Sequence, residues 1–153
     1  MKSMKTLFTS LFAFTFCLCL SGAALAEGPW ETSIEAGVAK AKAEGKLVMV
    51  EFTGSEWCPP CIMMNKEVFT KPAFLEGAQK DYVLVKLDIP KPGTDNAHPN
   101  MALMKKFKVT GVPTVILMDA EGKEFKRFSA AENKTVETFL ERLTSEKRRK
   151  DMI

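Results

Sequence analysis

Apolar residues occur along this chain in three arrangements, and each predicts a different kind of element. The first is a single long run, "TLFTSLFAFTFCLCLSGAALA" from Thr6 to Ala26, preceded by Lys2 and Lys5 and ending in Ala24-Leu25-Ala26 before Glu27. A positive start, an apolar stretch and small residues at an A-x-A site read as an export signal over residues 1–26, cleaved off and outside the fold. The run also approaches the roughly 20 residues that span a bilayer, so an uncleaved anchor is the alternative. The small residues stand where a peptidase needs them, which favours cleavage. Lipid attachment at Cys19 is disfavoured by the bulky Leu18 and Leu20 on either side.

The second arrangement is short and dense. "KLVMVEFT" (Lys46 to Thr53) and "YVLVKLDI" (Tyr82 to Ile89) are apolar on both parities, the pattern of strands buried on two faces. "PTVILMD", "AEG" and "KEFKRF" read as strand, turn and strand, most simply a hairpin. The third arrangement is spaced at helical intervals. Thr32 with Glu35 looks like a capping box opening a helix that runs to Glu44 and stops at Gly45. A second helix begins near Pro59, where proline suits a first turn. A short helix or turn follows over "TKPAFLEGAQK", and a short helix over "MALMKKFK" after the loop "PKPGTDNAHPN". "AENKTVETFLERLTSEK" closes the pattern with Val136, Phe139, Leu140 and Leu143 on one face. The basic end, residues 147–153, reads as a frayed, solvated tail. One domain over residues 27–146 accounts for the rest, with no internal repeat.

Composition narrows the chemistry once the signal is set aside. Of 153 residues, 127 remain, enough for one domain with a core. Lys2 and Lys5 leave with the signal, so 20 basic residues face 19 acidic ones and the net charge falls to +1, which gives no reason to expect a nucleic-acid partner. Cys17 and Cys19 leave too, so any disulfide within the mature chain joins Cys58 and Cys61. A zinc site needs about four ligands, and Cys58, Cys61 and His98 are the only soft candidates, so no metal is expected. His98 lies in a Pro/Gly/Asn loop and reads as solvated rather than catalytic. Met49, Met63, Met64, Met101, Met104 and Met118 fall on strands and helix faces and read as core filler rather than copper ligands. Asn133-Lys134-Thr135 fits a glycosylation acceptor, a pattern too short to weigh alone.

The candidate chemistry sits in "VEFTGSEWCPPCIMMNKEVF", Val50 to Phe69. Cys58 falls where a helix begins, so unpaired backbone N–H groups and the positive end of the helix dipole favour its thiolate, and it is the expected nucleophile. Cys61, one turn on, is placed to resolve a mixed disulfide by attacking Cys58. Pro59 and Pro60 restrict the loop without adding donors. Trp57 is expected to cover the site.

Strand, C-x-x-C at a helix start, strand, helix, V-P-T, hairpin and helix together resemble the thioredoxin superfamily over nearly the whole mature domain. The specific parts are "VMVEFTGSEWCPPC", "VLVKLDI" and "VTGVPTVILMDAEGKE". With "NKEVFTKPAFLEGAQKDYVLVKLD" after the cysteines, the chain looks most like small exported disulfide reductases of the DsbH type. The resemblance implies an α/β thioredoxin fold, a central mixed sheet flanked by helices. It implies a cis peptide at Val112-Pro113, whose strand faces the cysteines and offers a backbone edge to extended substrate, so Trp57, Val112 and Pro113 are the candidate substrate-binding residues. It also aligns Glu51 and Lys86 with a buried acid and a lysine that move protons to and from the resolving cysteine. Here the acid is a glutamate and the loop to Cys58 is one residue longer. The plainer reading of that pair is an ion pair at a strand edge. A carboxyl behind an apolar site has its pKa raised by desolvation, which suits a proton shuttle.

These residues point to an exported, periplasmic thiol-disulfide oxidoreductase that needs no cofactor, acts as a monomer on disulfide-bonded proteins, and is re-reduced by a membrane electron donor. The absence of a histidine between the cysteines and the proline before Cys61 resemble reducing relatives, whereas Val112 resembles the oxidising branch. An oxidase or isomerase, a cytochrome-assembly role, and a non-catalytic module holding peptides on the V-P-T edge are the alternatives.

Overall fold

The computed structural model describes residues 28–153, so the signal expected over residues 1–26 lies outside the described residues. Five strands form one sheet in the order β1-β3-β2-β4-β5. They are β1 (Trp30–Glu31), β2 (Leu47–Thr53), β3 (Tyr82–Asp88), β4 (Thr114–Met118) and β5 (Glu124–Ser129). β1 and β2 run parallel to β3, and β2–β4 and β4–β5 are antiparallel, so the sheet is mixed as expected. The helices are α1 (Ile34–Glu44), α2 (Pro59–Met64), α3 (Pro72–Ala78), α4 (Pro99–Lys106) and α5 (Val136–Asp151).

Period-two alternation explains how β2 serves two cores. Val48, Val50 and Phe52 point to one face, where they meet Ile34 and Ala41 of α1 and Val83, Val85, Leu87, Ile116 and Met118 of the sheet. Met49 points to the other, among Met64, Val68, Phe69, Phe74 and Phe139. Glu51 and Thr53 share that second parity, so they face the layer that carries the cysteines. Met49, Met64 and Met118 are fully buried, in keeping with core filling.

Several boundaries differ from the sequence reading, each for a tertiary or capping reason. The cap of α1 is Ser33, not Thr32: its backbone is extended (φ −138°, ψ 147°) and its hydroxyl accepts from the Ala36 N–H. Gly45 ends the helix in the left-handed region at φ 65°, as its glycine suggests. α2 does not run on as an α-helix but passes into a π-helical turn over Asn65–Phe69, which brings both Val68 and Phe69 into the core. α5 starts at Val136 behind the Thr135 cap and continues through Asp151, so most of the stretch read as a frayed tail is helix. Tertiary pairs hold that end: Lys147 bonds Asp81 at 2.6 Å, and the buried Glu146 meets Lys126, Arg142 and Arg149.

Candidate active site

The cysteine pair sits at the end of the central strand. After Thr53, the Trp57 and Cys58 amides both bond the Gly54 carbonyl, a tight turn that leads the chain into α2. Trp57 lies over that turn so closely that a Cβ on Gly54 would come within 2.6 Å of its ring, so only glycine fits beneath the indole. The indole N–H donates to the Ile89 carbonyl at 2.7 Å, and Asp88 accepts from both the Ser55 N–H and its hydroxyl. The Trp57 loop is thereby fastened to the end of β3. Beside it opens a cleft of about 670 Å³, lined by Glu56, Trp57, Pro90, Lys91 and His98 among others. His98 is half-buried there: its Nδ1 caps α4 by accepting from the Asn100 N–H at 3.2 Å.

Cys58 is the N-cap residue of α2 and is joined in a disulfide to Cys61, with Cα atoms 5.2 Å apart. Its Sγ accepts from the Cys61 N–H at 3.3 Å. Pro59 and Pro60 carry no N–H, and the Ile62 N–H is taken by the Cys58 carbonyl at 3.0 Å. Within the first turn, then, one backbone donor serves the sulfur. Cys61 is fully buried and Cys58 nearly so, while Pro59, Pro60 and Ile62 are exposed around them.

From the far side comes the start of β4. The Val112–Pro113 peptide is cis, and the Val112 carbonyl oxygen lies 3.8 Å from Cys58 Sγ. The Pro113 carbonyl turns the other way, accepting from the Ala130 N–H at 3.2 Å and the Ser129 hydroxyl at 3.3 Å. The fold thus brings Trp57, Cys58, Cys61, Val112 and Pro113 together, although Cys58 and Val112 are 54 positions apart in the chain.

Glu51 and Lys86 are register neighbours on the central strands β2 and β3, not a pair at a sheet edge. Glu51 is completely buried, and neither carboxyl oxygen has a hydrogen-bond partner among the described residues. Burial pushes its pKa up to about 7, with the Lys86 ammonium drawing it part of the way back. Lys86 does not bond it. Its Nζ donates to Asn65 Oδ1 at 2.9 Å and lies 4.8 Å from the centre of the Trp30 ring. Asn65 and Trp30 escaped the sequence reading: an asparagine after a C-x-x-C and a lone tryptophan ahead of a helix carry no local signal of what they meet.

The raised pKa predicts a pH-dependent stability. Folded Glu51 holds its proton more tightly than the unfolded side chain, whose ordinary value is 4.5, so its contribution is complete below that value and is lost as pH rises through about 7. Glu51→Gln keeps the shape without the charge. Urea titrations of the oxidised proteins should show a variant more stable than wild type by on the order of 3 kcal/mol at pH 8, with the gap closing towards pH 4.5. A variant no more stable at pH 8 contradicts the assignment.

Comparison with known proteins agrees with this geometry. Thioredoxin-related protein DsbJ of Chlamydia pneumoniae is 32% identical over 109 residues, 69% of this chain and 31% of that protein. Disulfide bond reductase DsbH of the same organism is 33% identical over 101 residues, 64% of this chain and 60% of that one, so the chain spans less than two thirds of either relative. Among solved structures, a DsbH oxidoreductase superimposes with a TM-score of 0.64 at 24% identity, covering 94% of both chains. The oxidised C-terminal domain of Neisseria meningitidis DsbD does so with a TM-score of 0.59 at 19% identity, covering 76% of this chain and 98% of that domain; both likenesses are of fold. A model of the thioredoxin-like domain matches residues 34–144, and with the sheet order, the C-x-x-C at the start of α2 and the V-P-T strand facing it, this chain belongs to the thioredoxin-like domain family.

Proposed function

We propose that this protein is an exported thiol-disulfide oxidoreductase that reduces disulfides in other proteins in the periplasm. The observation that carries the reading is Cys58 Sγ at the cap of α2, 3.8 Å from the Val112 carbonyl, with Cys61 buried one turn behind it. In the reduced protein the Cys58 thiolate attacks one sulfur of a substrate disulfide, and the other substrate sulfur leaves as a thiolate that takes up a proton. Cys61 loses its proton and attacks Cys58, which expels the second substrate thiol and leaves Cys58–Cys61 oxidised. Two electrons pass to the substrate, and a membrane electron donor restores the dithiol.

Val112 and Pro113 supply a backbone edge for an extended substrate segment, with Trp57 beside it. Glu51 takes the proton from Cys61, and Lys86 tunes its affinity for that proton. The reducing direction is supported by the first turn of α2, where prolines replace two donors and leave one N–H for the Cys58 thiolate. A weakly stabilised thiolate leaves the disulfide form comparatively favourable, which is the property of a reducing couple. The export signal of residues 1–26 and a monomeric mature chain complete the reading.

Residues 27–153 should speed the precipitation of insulin by dithiothreitol, and the Cys58/Cys61 couple should equilibrate below the glutathione couple. A chain that leaves insulin unaffected is a binding module, and a couple well above glutathione is an oxidant.

A further inference from the structure

Lys86 is half-buried on the sheet face that carries the cysteines, yet its ammonium rests on neutral groups although a buried carboxyl stands beside it in register. Asn65 Oδ1 accepts from Nζ at 2.9 Å, and the Trp30 ring lies beneath it at 4.8 Å. Both partners are themselves fixed. Asn65 is in the π-helical turn, where its backbone carbonyl accepts from the Thr70 N–H at 3.1 Å and from the Thr70 hydroxyl at 2.9 Å, which leaves its side chain for Lys86. Trp30 is set edge-on to Phe69 at 5.7 Å and stacked near Phe74 at 6.3 Å. Lys86 thus sits in a clamp made by β1 and the segment that follows the cysteines.

We propose that Asn65 and Trp30 are positioning residues that hold the Lys86 ammonium off the Glu51 carboxyl and thereby set how tightly Glu51 holds its proton. The physical logic is one of two positions for a single charge. An ammonium in direct contact keeps a carboxylate ionised and makes it a poor base, because opposite charges within about 4–6 Å strongly favour the charged form. With no cation nearby, a fully desolvated carboxyl keeps its proton at neutral pH and cannot accept another. A lysine clamped close but unbonded leaves the acid between those limits. A neutral amide suits the clamp, since it accepts from the ammonium without adding a second negative charge behind the site.

The other groups facing Glu51 do not replace this control. Thr53, next but one on β2, favours the charged form. From β3 come Lys86, which also favours it, and the more distant Asp88, which opposes it while bonded to Ser55; both Thr53 and Asp88 weigh less than Lys86. From β4 come Val115 and Thr114, which do not titrate here. From α2 come Cys58 and Cys61, bonded to each other. In the turn after α2, Lys66 and Glu67 are exposed and lie 3.6 Å apart.

The inference rests on reading Glu51 as the proton acceptor for Cys61, but its test does not need turnover. Glutamate side chains labelled with carbon-13 at Cδ allow the Glu51 titration to be followed in the oxidised protein, where neither cysteine titrates. Asn65→Ala frees Lys86 to approach Glu51, and the midpoint should fall by roughly one pH unit or more. Asn65→Asp holds Lys86 and adds a negative charge, so the midpoint should rise. Lys86→Met removes the cation and should raise it as well. Midpoints in both Asn65 variants that stay within a few tenths of wild type overturn the clamp, as does a rise in Asn65→Ala; either Asn65 variant suffices if the other fails to fold. If the midpoints move as expected while the pH profile of insulin reduction does not follow them, the clamp stands and the proton role of Glu51 falls.

Discussion

Cys61→Ser should stop turnover and leave the protein covalently joined to its substrates, whereas Cys58→Ser should capture almost none. The difference follows from which sulfur can be reached. Cys58 caps α2 beside the Val112 edge, while Cys61 is fully buried behind it. With Cys61 removed, attack by Cys58 still forms the mixed disulfide, but no neighbouring thiol expels the product. With Cys58 removed, the remaining thiol has no route to a substrate disulfide. Either substitution should abolish insulin reduction. Non-reducing gels of the two variants expressed in an exporting host separate their roles. Equal trapping by both, or alkylation of Cys61 ahead of Cys58 in the reduced protein, overturns the order of attack.

Phe139→Ala should be the most damaging change to the core among single substitutions distant from the cysteines. Phe139 is fully buried at the centre of an aromatic group, with ring centroids 5.1 Å from Phe69, 5.5 Å from Phe74 and 5.8 Å from Phe128. It therefore ties α5 to α3, to the turn after α2 and to β5. Truncation loses the transfer energy of the ring and leaves a cavity that three other rings cannot easily fill, at a cost of about 3–5 kcal/mol. The Tm of the oxidised protein should fall by roughly 10–20 °C. A loss below about 1 kcal/mol in urea titration would show that the aromatic group relaxes around the gap.

What the sequence revealed and what it hid divide along physical lines. β2 and β3 were legible because a strand buried on both faces is apolar on both parities, and the hairpin because the turn "AEG" separates an apolar run from one that mixes charged and aromatic residues. The cysteine pair and V-P-T were legible by their place in that order. β1 was not, since two residues carry no periodicity; Trp30 earns its place only through Phe69, Phe74 and Lys86. The end of α5 was misread for the opposite reason. "KRRK" looks like a solvated tail by composition, and what keeps it helical is Asp81, in the turn between α3 and β3, and the charge cluster around Glu146. The Thr32 cap was wrong by one residue because backbone conformation, which residue type does not encode, decides which of two adjacent hydroxyls reaches Ala36. The departure of Lys86 from Glu51 belongs to the same class: register sets the two side by side, and packing of the π-helical turn decides where the ammonium goes.

The order of strands in the sheet also sets when the site comes into being. Cys58 and Cys61 belong to the half of the chain built from β1, β2 and β3, and Val112 and Pro113 to the half built from β4, β5 and α5. The exposed loop around Gly93 links the halves, and the antiparallel ladder from Val48–Met118 to Phe52–Thr114 joins them in the sheet. A chain emerging amino-terminus first presents two thiols, near enough to close on each other, before it has the β4 strand that comes to face them. Closing the dithiol needs only a local turn, whereas bringing Val112 against Cys58 needs the finished sheet. The two halves of the site therefore meet last: Val112 comes to lie 3.8 Å from Cys58 Sγ only when β4 docks beside β2.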